Sequence, residues 1–479
     1  MIMFTILLTV NLPYNGALGS LSVYAVEDDE ITESDESKKE KLSDDEGVML
    51  SLPKIPELTD EYKIIEKYET TWSSTLSYDI KYDKYDAFPH YVVNLSSYKR
   101  KIYEEPDTDT KVLKKIYYGT KYQTIALIED DKDEKWYAVV FEDDDEAIIG
   151  YVKEEKVSKR EFQIDEMNKY LENVAGFDQL GHIVYVENYK YKNGYPPRMP
   201  NRSYYDDYGY RRGQSIAGYY DSTMDGEFRY IQDGMLGVVE QVVETTETVD
   251  DIIVIDSKGH FTDRDELSEY FDVEESTETK EPVTEDDEDE ISPLDKYNEI
   301  SEVTAVKLFV PSFGVSLWVE EKYLNEDKKS PDVLDQAIIV DRENQNIVVF
   351  EHDDEWKVVS MSYSSTGKVG EYSLPTPLGY YMAITRKPKF DYVQDGTSTI
   401  VGFAPYAIRF SGGGYLHGVP MSYTFDETGK KHSPSRYAEY LSSIGTIPKS
   451  HMCVRNYTSH AEFMYDWVDI GNCAVIVIE

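Results

Sequence analysis

Short apolar runs separated by polar turns dominate the chain from residue 91 onward. Between residues 91 and 157 the runs are Ile102-Tyr103, Val112-Leu113, Tyr122-Gln123-Thr124-Ile125-Ala126, Trp136-Tyr137-Ala138-Val139-Val140 and Ile149-Gly150-Tyr151-Val152. They are rich in β-branched and aromatic residues and are bounded by acidic or Gly-containing stretches, which predicts strands. Ile164, Met167, Leu171 and Val174 recur at helical spacing and predict a packing helix. A second β module is predicted over residues 183–274, around Glu227–Gly234 and Leu236–Val239. The runs Leu308-Phe309-Val310 and Leu317-Trp318-Val319 predict strands that close this middle region or lead onward. From Ala337 the pattern resumes with Ala337–Val340, Asn346–Phe350, Trp356–Ser362 and Tyr406–Phe410. A helix is predicted over about Ser459–Val468, with Phe463, Met464 and Trp467 on one face. A last strand is predicted at Cys473–Ile478. The alternation predicts an antiparallel sheet with one buried face. The fold class is therefore mainly β.

Charge divides the chain. The 479 residues carry a formal net charge of −44, and most of it precedes residue 335. Phosphate binding requires Lys and Arg, so nucleic acid is excluded as a partner. Residues 26–60 and 275–293 are acidic and poor in large apolar groups, and both predict disordered linkers. Residues 1–25 are apolar with no charge. Val23 and Ala25 suit a signal peptidase, so the segment predicts export to a secreted or cell-wall location. The tyrosines between Tyr204 and Tyr230 offer apolar faces with a hydroxyl handle, suited either to sugar rings or to a small β core.

Candidate chemistry concentrates near the C-terminus. The only two cysteines are Cys453 and Cys473, which rules out a disulfide framework. Cys473 sits in an apolar run and reads as a core filler. Cys453 sits in Lys449-Ser450-His451-Met452-Cys453-Val454-Arg455, where an imidazole and a guanidinium can favour the thiolate, the nucleophilic form. A second histidine lies in Gly412-Gly413-Gly414-Tyr415-Leu416-His417-Gly418, where the glycines let backbone approach a ligand. No Cys/His cluster has metal-ligand spacing, and no cofactor is expected.

These residues resemble the L,D-transpeptidase family, also called the YkuD domain. His417-Gly418 matches its His-Gly. Ser450-His451-Met452-Cys453-Val454-Arg455 matches its Ser/Thr-His-Gly-Cys-Val-Arg, with Met452 standing where the family has Gly. Ser365-Thr366-Gly367 and Thr376-Pro377-Leu378-Gly379-Tyr380-Tyr381 match its upstream motifs. The resemblance covers residues 335–479 and implies a β-sandwich-like catalytic domain. Residues 91–160 resemble a bacterial SH3-like module, a type that often binds the cell wall, and residues 183–274 read as a diverged second one.

The resemblance implies acyl transfer on peptidoglycan stem peptides. Cys453 is the implied nucleophile, His417 the proton carrier, and His451 tunes or orients the site. Arg455 and Ser450, with the Gly413-Gly414 backbone, are implied to bind substrate, and the N–H groups of Met452 and Cys453 to form the oxyanion hole. The implied product is a 3→3 crosslink; the alternatives are an L,D-carboxypeptidase, with water as acceptor, and a catalytically silent protein that binds wall glycan strands. Acylation by carbapenems is also implied. Residues 335–479 are expected to fold apart from the N-terminal half. The segment between His417 and Ser450 is longer than the family's usual loop and could cover the groove.

Overall fold

A computed structural model describes residues 55–58, 62–143, 146–194, 196, 214–224, 226–245, 254–255, 261–262, 303–325, 333–370, 373–394, 399–428, 431–432 and 443–479. The expected signal peptide and the 275–293 linker lie outside the described residues, as does most of the 26–60 linker.

The strands predicted between residues 91 and 157 form an antiparallel eight-stranded sheet. Its order is Val112–Ile116, Arg100–Tyr103, Glu146–Lys153, Lys135–Asp143, Lys121–Glu129, His90–Val93 and Ser158–Glu161, with Lys63–Lys67 also paired to Lys121–Glu129. Alternation along Lys135–Asp143 sends Tyr137, Val139 and Phe141 to one apolar cluster and Trp136, Ala138 and Val140 to another, so both faces of this strand are covered. The indole N–H of Trp136 donates to Asp130 Oδ2 at 3.1 Å, so the one polar atom of this buried ring is satisfied.

The helix follows as predicted at Ile164–Ala175, and its buried residues are Ile164, Met167, Leu171 and Val174. A six-stranded sheet comes next, in the order His182–Tyr185, Leu236–Thr245, Val303–Val310, Val315–Glu320, Ile216–Tyr219 and Phe228–Ile231. The strands after residue 303 lie in the middle of this sheet, so they close the central region. Val306, Leu308, Val310, Leu317 and Val319 are buried in doing so.

The C-terminal sheet has eleven strands. Along its main path they run Gly379–Met382, Cys473–Ile478, Gln336–Asp341, Asn346–His352, Trp356–Ser365, Val454–Asn456, Gly414–His417, Ile400–Ser411 and Thr385–Val393. Two features correct the expected antiparallel, one-faced sheet. It is mixed: Gln336–Asp341 pairs in parallel with Cys473–Ile478, Gly414–His417 with Val454–Asn456, and Ser77–Tyr82 with Trp356–Ser365. It is also buried on both faces. Ala337 and Ile339 pack with the helix residues Met167 and Leu171, while Ile338 and Val340 pack with Leu308 and Leu317 of the six-stranded sheet. A strand covered on both sides carries a continuous apolar run rather than an alternating one, and Ala337–Val340 has one. The helix Thr458–Trp467 lies one residue before its predicted place.

Candidate active site

The site forms where two short parallel strands lie side by side. Gly414–His417 and Val454–Asn456 pair with Leu416 opposite Val454 and His417 opposite Arg455. Side chains alternate along a strand, so Tyr415 and His417 share one face of the first strand. Arg455 shares its face with Cys453, which immediately precedes the second. The register therefore gathers Cys453, Arg455, Tyr415 and His417. Tyr415 and Cys453 meet in one small apolar cluster with Ala407.

The glycine turn makes contact with the thiol. Ile400–Ser411 and Gly414–His417 form a hairpin, with Ser411 paired to Gly414. Gly412 between them has φ 38°, a left-handed value that glycine adopts at little cost. The Gly413 carbonyl accepts a hydrogen bond from Cys453 Sγ at 3.5 Å.

His417 is 3 % exposed, and its Nδ1 lies 2.5 Å from the Gly418 carbonyl oxygen. A carbonyl only accepts, so Nδ1 carries the hydrogen and Nε2 keeps its lone pair. Phe390 stands edge-on to the His417 ring at 5.4 Å and stacks on Tyr415 at 4.6 Å. Burial, with the Arg455 charge adding to it, pushes His417 down from 6.5 to about 3. The ring is therefore neutral at physiological pH, with its Nε2 lone pair unprotonated. Burial also lowers Arg455, against the pull of Cys453. Arg455 Nε has no hydrogen-bond partner among the described residues. His451, half-buried, sits two residues before the thiol in the same loop.

The upstream motifs hold the cysteine loop from behind. The Thr366 carbonyl accepts from the N–H groups of Lys449, at 2.8 Å, and Ser450, at 3.1 Å. Lys368 N–H donates to the Ser450 carbonyl at 3.0 Å. Thr376 Oγ1 accepts from Gly367 N–H at 2.8 Å and donates to the Met452 carbonyl at 2.9 Å. A Cβ on Gly367 would lie 2.4 Å from the Leu374 oxygen and 2.7 Å from Met452 Cα, so only glycine fits there. Ser450 is 2 % exposed and its hydroxyl donates to the Cys453 carbonyl, which ties it to the loop's own backbone. Met452 has φ 109° and is fully buried. The glycine conformation implied by the resemblance is thus kept, with a methionine in it.

Three residues of the site gave no signal in the sequence. Gln345, fully buried, brackets Thr366: its Oε1 accepts from Thr366 N–H at 3.0 Å and its Nε2 donates to Thr366 Oγ1 at 2.7 Å. Tyr189 comes from the middle of the chain. Its ring lies 4.5 Å from the Arg409 guanidinium, beside Tyr415. Asp233, fully buried, pairs with Arg409 at 2.5 Å. Nothing within three or four residues of these positions marks them, because their partners are distant in sequence. Among the described residues no group of three His, Cys, Asp or Glu side chains is placed to hold a metal ion.

Residues 335–477 match the YkuD family, described as the L,D-transpeptidase catalytic domain. No curated protein matches the chain. Among solved structures the chain is similar to an L,D-transpeptidase from Mycobacterium smegmatis, with 19% identity over 38% of this chain and 76% of the other and a TM-score of 0.24. It is also similar to an L,D-transpeptidase from Mycobacterium tuberculosis, with 19% identity over 37% and 90% and a TM-score of 0.22. L,D-transpeptidase 3 from the same organism, in complex with a faropenem-derived adduct, is 18% identical over 37% and 91%, with a TM-score of 0.22.

Proposed function

For a chain that carries an L,D-transpeptidase catalytic domain over residues 335–477, we propose a cysteine-dependent acyl transfer that joins peptidoglycan stem peptides. The observation that supports this most is that a thiol and a neutral, tautomer-fixed imidazole come to the same face of adjacent parallel strands.

His417 Nε2 takes the proton of the Cys453 thiol as sulfur attacks the carbonyl of the third stem residue, an L-centre. The carbonyl π electrons move to oxygen. The N–H groups of Met452 and Cys453 stabilise that oxyanion. The C–N bond to D-Ala then breaks, and the His417 proton leaves with the amine. The resulting thioester is attacked by an acceptor amine, whose proton passes to His417, and the thiol is released as the 3→3 amide forms. Arg455 holds a stem carboxylate by a two-pronged contact, which suits a guanidinium. The Gly413-Gly414 backbone lines the donor groove, and His451 orients the cysteine loop. Residues 1–25 direct export, and the upstream β modules hold the enzyme against wall glycan. Carbapenems acylate the same sulfur.

The test is incubation with tetrapeptide-bearing muropeptides, followed by intact-mass and product analysis. The parent protein should show an acyl adduct on Cys453 and a crosslinked dimer, and Cys453→Ala should show neither. A tripeptide without a dimer would identify water as the acceptor. A dimer formed by Cys453→Ala would end the covalent mechanism.

A further inference from the structure

The six-stranded middle sheet reaches into the cysteine site. Its turn at Gln232–Met235 is joined to the catalytic sheet: Met235 bridges Tyr381, and Met382 N–H donates to the Gly234 carbonyl at 2.9 Å. Gly234 has φ 84°, and a Cβ there would lie 1.9 Å from the Phe410 carbonyl oxygen. Such an approach needs glycine and fixes the turn against the strand that leads to Gly412.

Asp233 stands at the tip of this turn, with three donors around its carboxylate. Asn188 N–H reaches Oδ1 at 2.7 Å. Gly412 N–H reaches Oδ2 at 2.9 Å, and Arg409 Nη1 reaches the same oxygen at 2.5 Å. Arg409 is 5 % exposed and Asp233 is fully buried. Gly412 is the first residue of the turn whose next carbonyl, that of Gly413, accepts from the Cys453 thiol. One carboxylate from outside the catalytic domain therefore anchors the turn that touches the nucleophile.

We propose that Asp233 is a positioning residue of the Cys453 site, supplied by the middle sheet, and that it sets both the reactivity of the thiol and the shape of the Gly412–Gly414 turn. This rests on the reading of Cys453 as the nucleophile. Asn188 belongs to the same device: its side-chain amide donates to the Gly194 and Ser215 carbonyls at 3.0 and 3.3 Å. That fixes the loop whose Tyr189 lies against Arg409 and Tyr415.

Asp233→Asn is the direct test. Whichever way the amide turns, its NH2 faces an N–H donor, Asn188 on one side or Gly412 and Arg409 on the other. The turn must shift, and the thiol loses its carbonyl acceptor. An acceptor favours the protonated thiol, so alkylation of Cys453 by iodoacetamide should move to lower pH. Acylation by a carbapenem should fall about 10- to 100-fold, the scale of an ångström-sized displacement. More thiolate with slower acylation is a split that a purely structural residue does not give. A folded Asp233→Asn protein with the parent's alkylation profile and acylation rate would overturn the proposal. If the variant does not fold, hydrogen exchange at Gly412 in the parent decides: slow exchange supports the anchor, and exchange at the rate of an open loop overturns it. The alkylation arm needs no substrate. It tests the positioning role even if the parent neither crosslinks muropeptides nor reacts with a carbapenem.

Discussion

Met452 sets two opposing energies against each other at one residue. Its φ of 109° lies where a Cβ is crowded, at a cost of about 1–3 kcal/mol. Its fully buried side chain recovers part of that. Truncation to alanine keeps the strained Cβ and loses the packing, so Met452→Ala should lose about 2–5 kcal/mol. Met452→Gly loses the packing and the strain together. It should be about 1 kcal/mol more stable than Met452→Ala, the reverse of the order expected in a helix or strand interior. Urea denaturation of the two variants side by side checks this, and an alanine variant more stable than the glycine one would remove the strain argument. Histidine burial gives a second prediction. His417 and His460 are both pushed from 6.5 down to about 3, chiefly by burial. The unfolded chain binds more protons than the native one between those values, so stability should be full above about pH 6.5 and fall as pH drops toward 3. His460 lies outside the proposed site, with Nε2 2.9 Å from Ser360 Oγ. Replacing it with a neutral polar residue should flatten the pH 4–6 part of the stability curve while Cys453 alkylation keeps its profile. Cys473, fully buried, has its thiol pushed well up by burial and should resist alkylation that labels Cys453.

The elements around the site act as fixed supports. The helix Ile164–Ala175 covers one face of the catalytic sheet, with Leu171 fully buried among Ala337, Ile339 and their neighbours. Leu171→Ala should destabilise the protein by about 2–5 kcal/mol, since it empties a site closed on all sides. The effect should appear in the same cooperative transition that melts the C-terminal sheet. A separate early transition for the helix would show that it is not part of that core. The two parallel pairings of the C-terminal part have a comparable role. Neither could come from a hairpin: Gln336–Asp341 meets the last strand of the chain, and Gly414–His417 meets the strand that follows the long intervening segment. That intervening segment, considered as a cover for the groove, is described over residues 418–428, 431–432 and 443–449, where Met421–Ser422 pairs with Ile400–Ser411 and Thr424–Phe425 with Lys431–His432. Residues 433–442 lie outside the described residues.

At the scale of the whole molecule, both faces of the catalytic sheet depend on residues that precede it. Val340, Val475 and Val477 share a cluster with Val306, Leu308 and Val319, and Ile476 shares one with Met167 and Phe177. Expressed alone, residues 335–479 would present two apolar faces to water, a surface that promotes association. Against the expectation that residues 335–479 fold apart from the N-terminal half, the isolated segment should therefore be aggregated or poorly dispersed by NMR, whereas a chain beginning near residue 62 should unfold cooperatively. A well-dispersed spectrum from residues 335–479 alone would show that the upstream cover adds only to what is already stable. The net charge of −44 bears on solubility and partner choice, and none of the packing above depends on it.

Local patterns in the sequence carried the mainly β class, the helix at Ile164–Ala175, the strands on either side of it and the Cys453, His417 and Arg455 constellation. Each is expressed over a few neighbouring residues: a period of two or 3.6, a glycine before a histidine, a thiol beside basic side chains. The positive φ at Met452 was legible only through the glycine that the family resemblance places there. Local patterns left open whether Val303–Glu320 closes the middle sheet or leads onward, and they did not carry the burial of both faces of the catalytic sheet. They were equally silent on Gln345 behind Thr366 and Asp233 beneath Gly412. Those depend on contacts between segments tens to hundreds of residues apart. An aspartate at a turn tip reads as an ordinary solvated turn residue until the chain folds an arginine and a glycine N–H onto it.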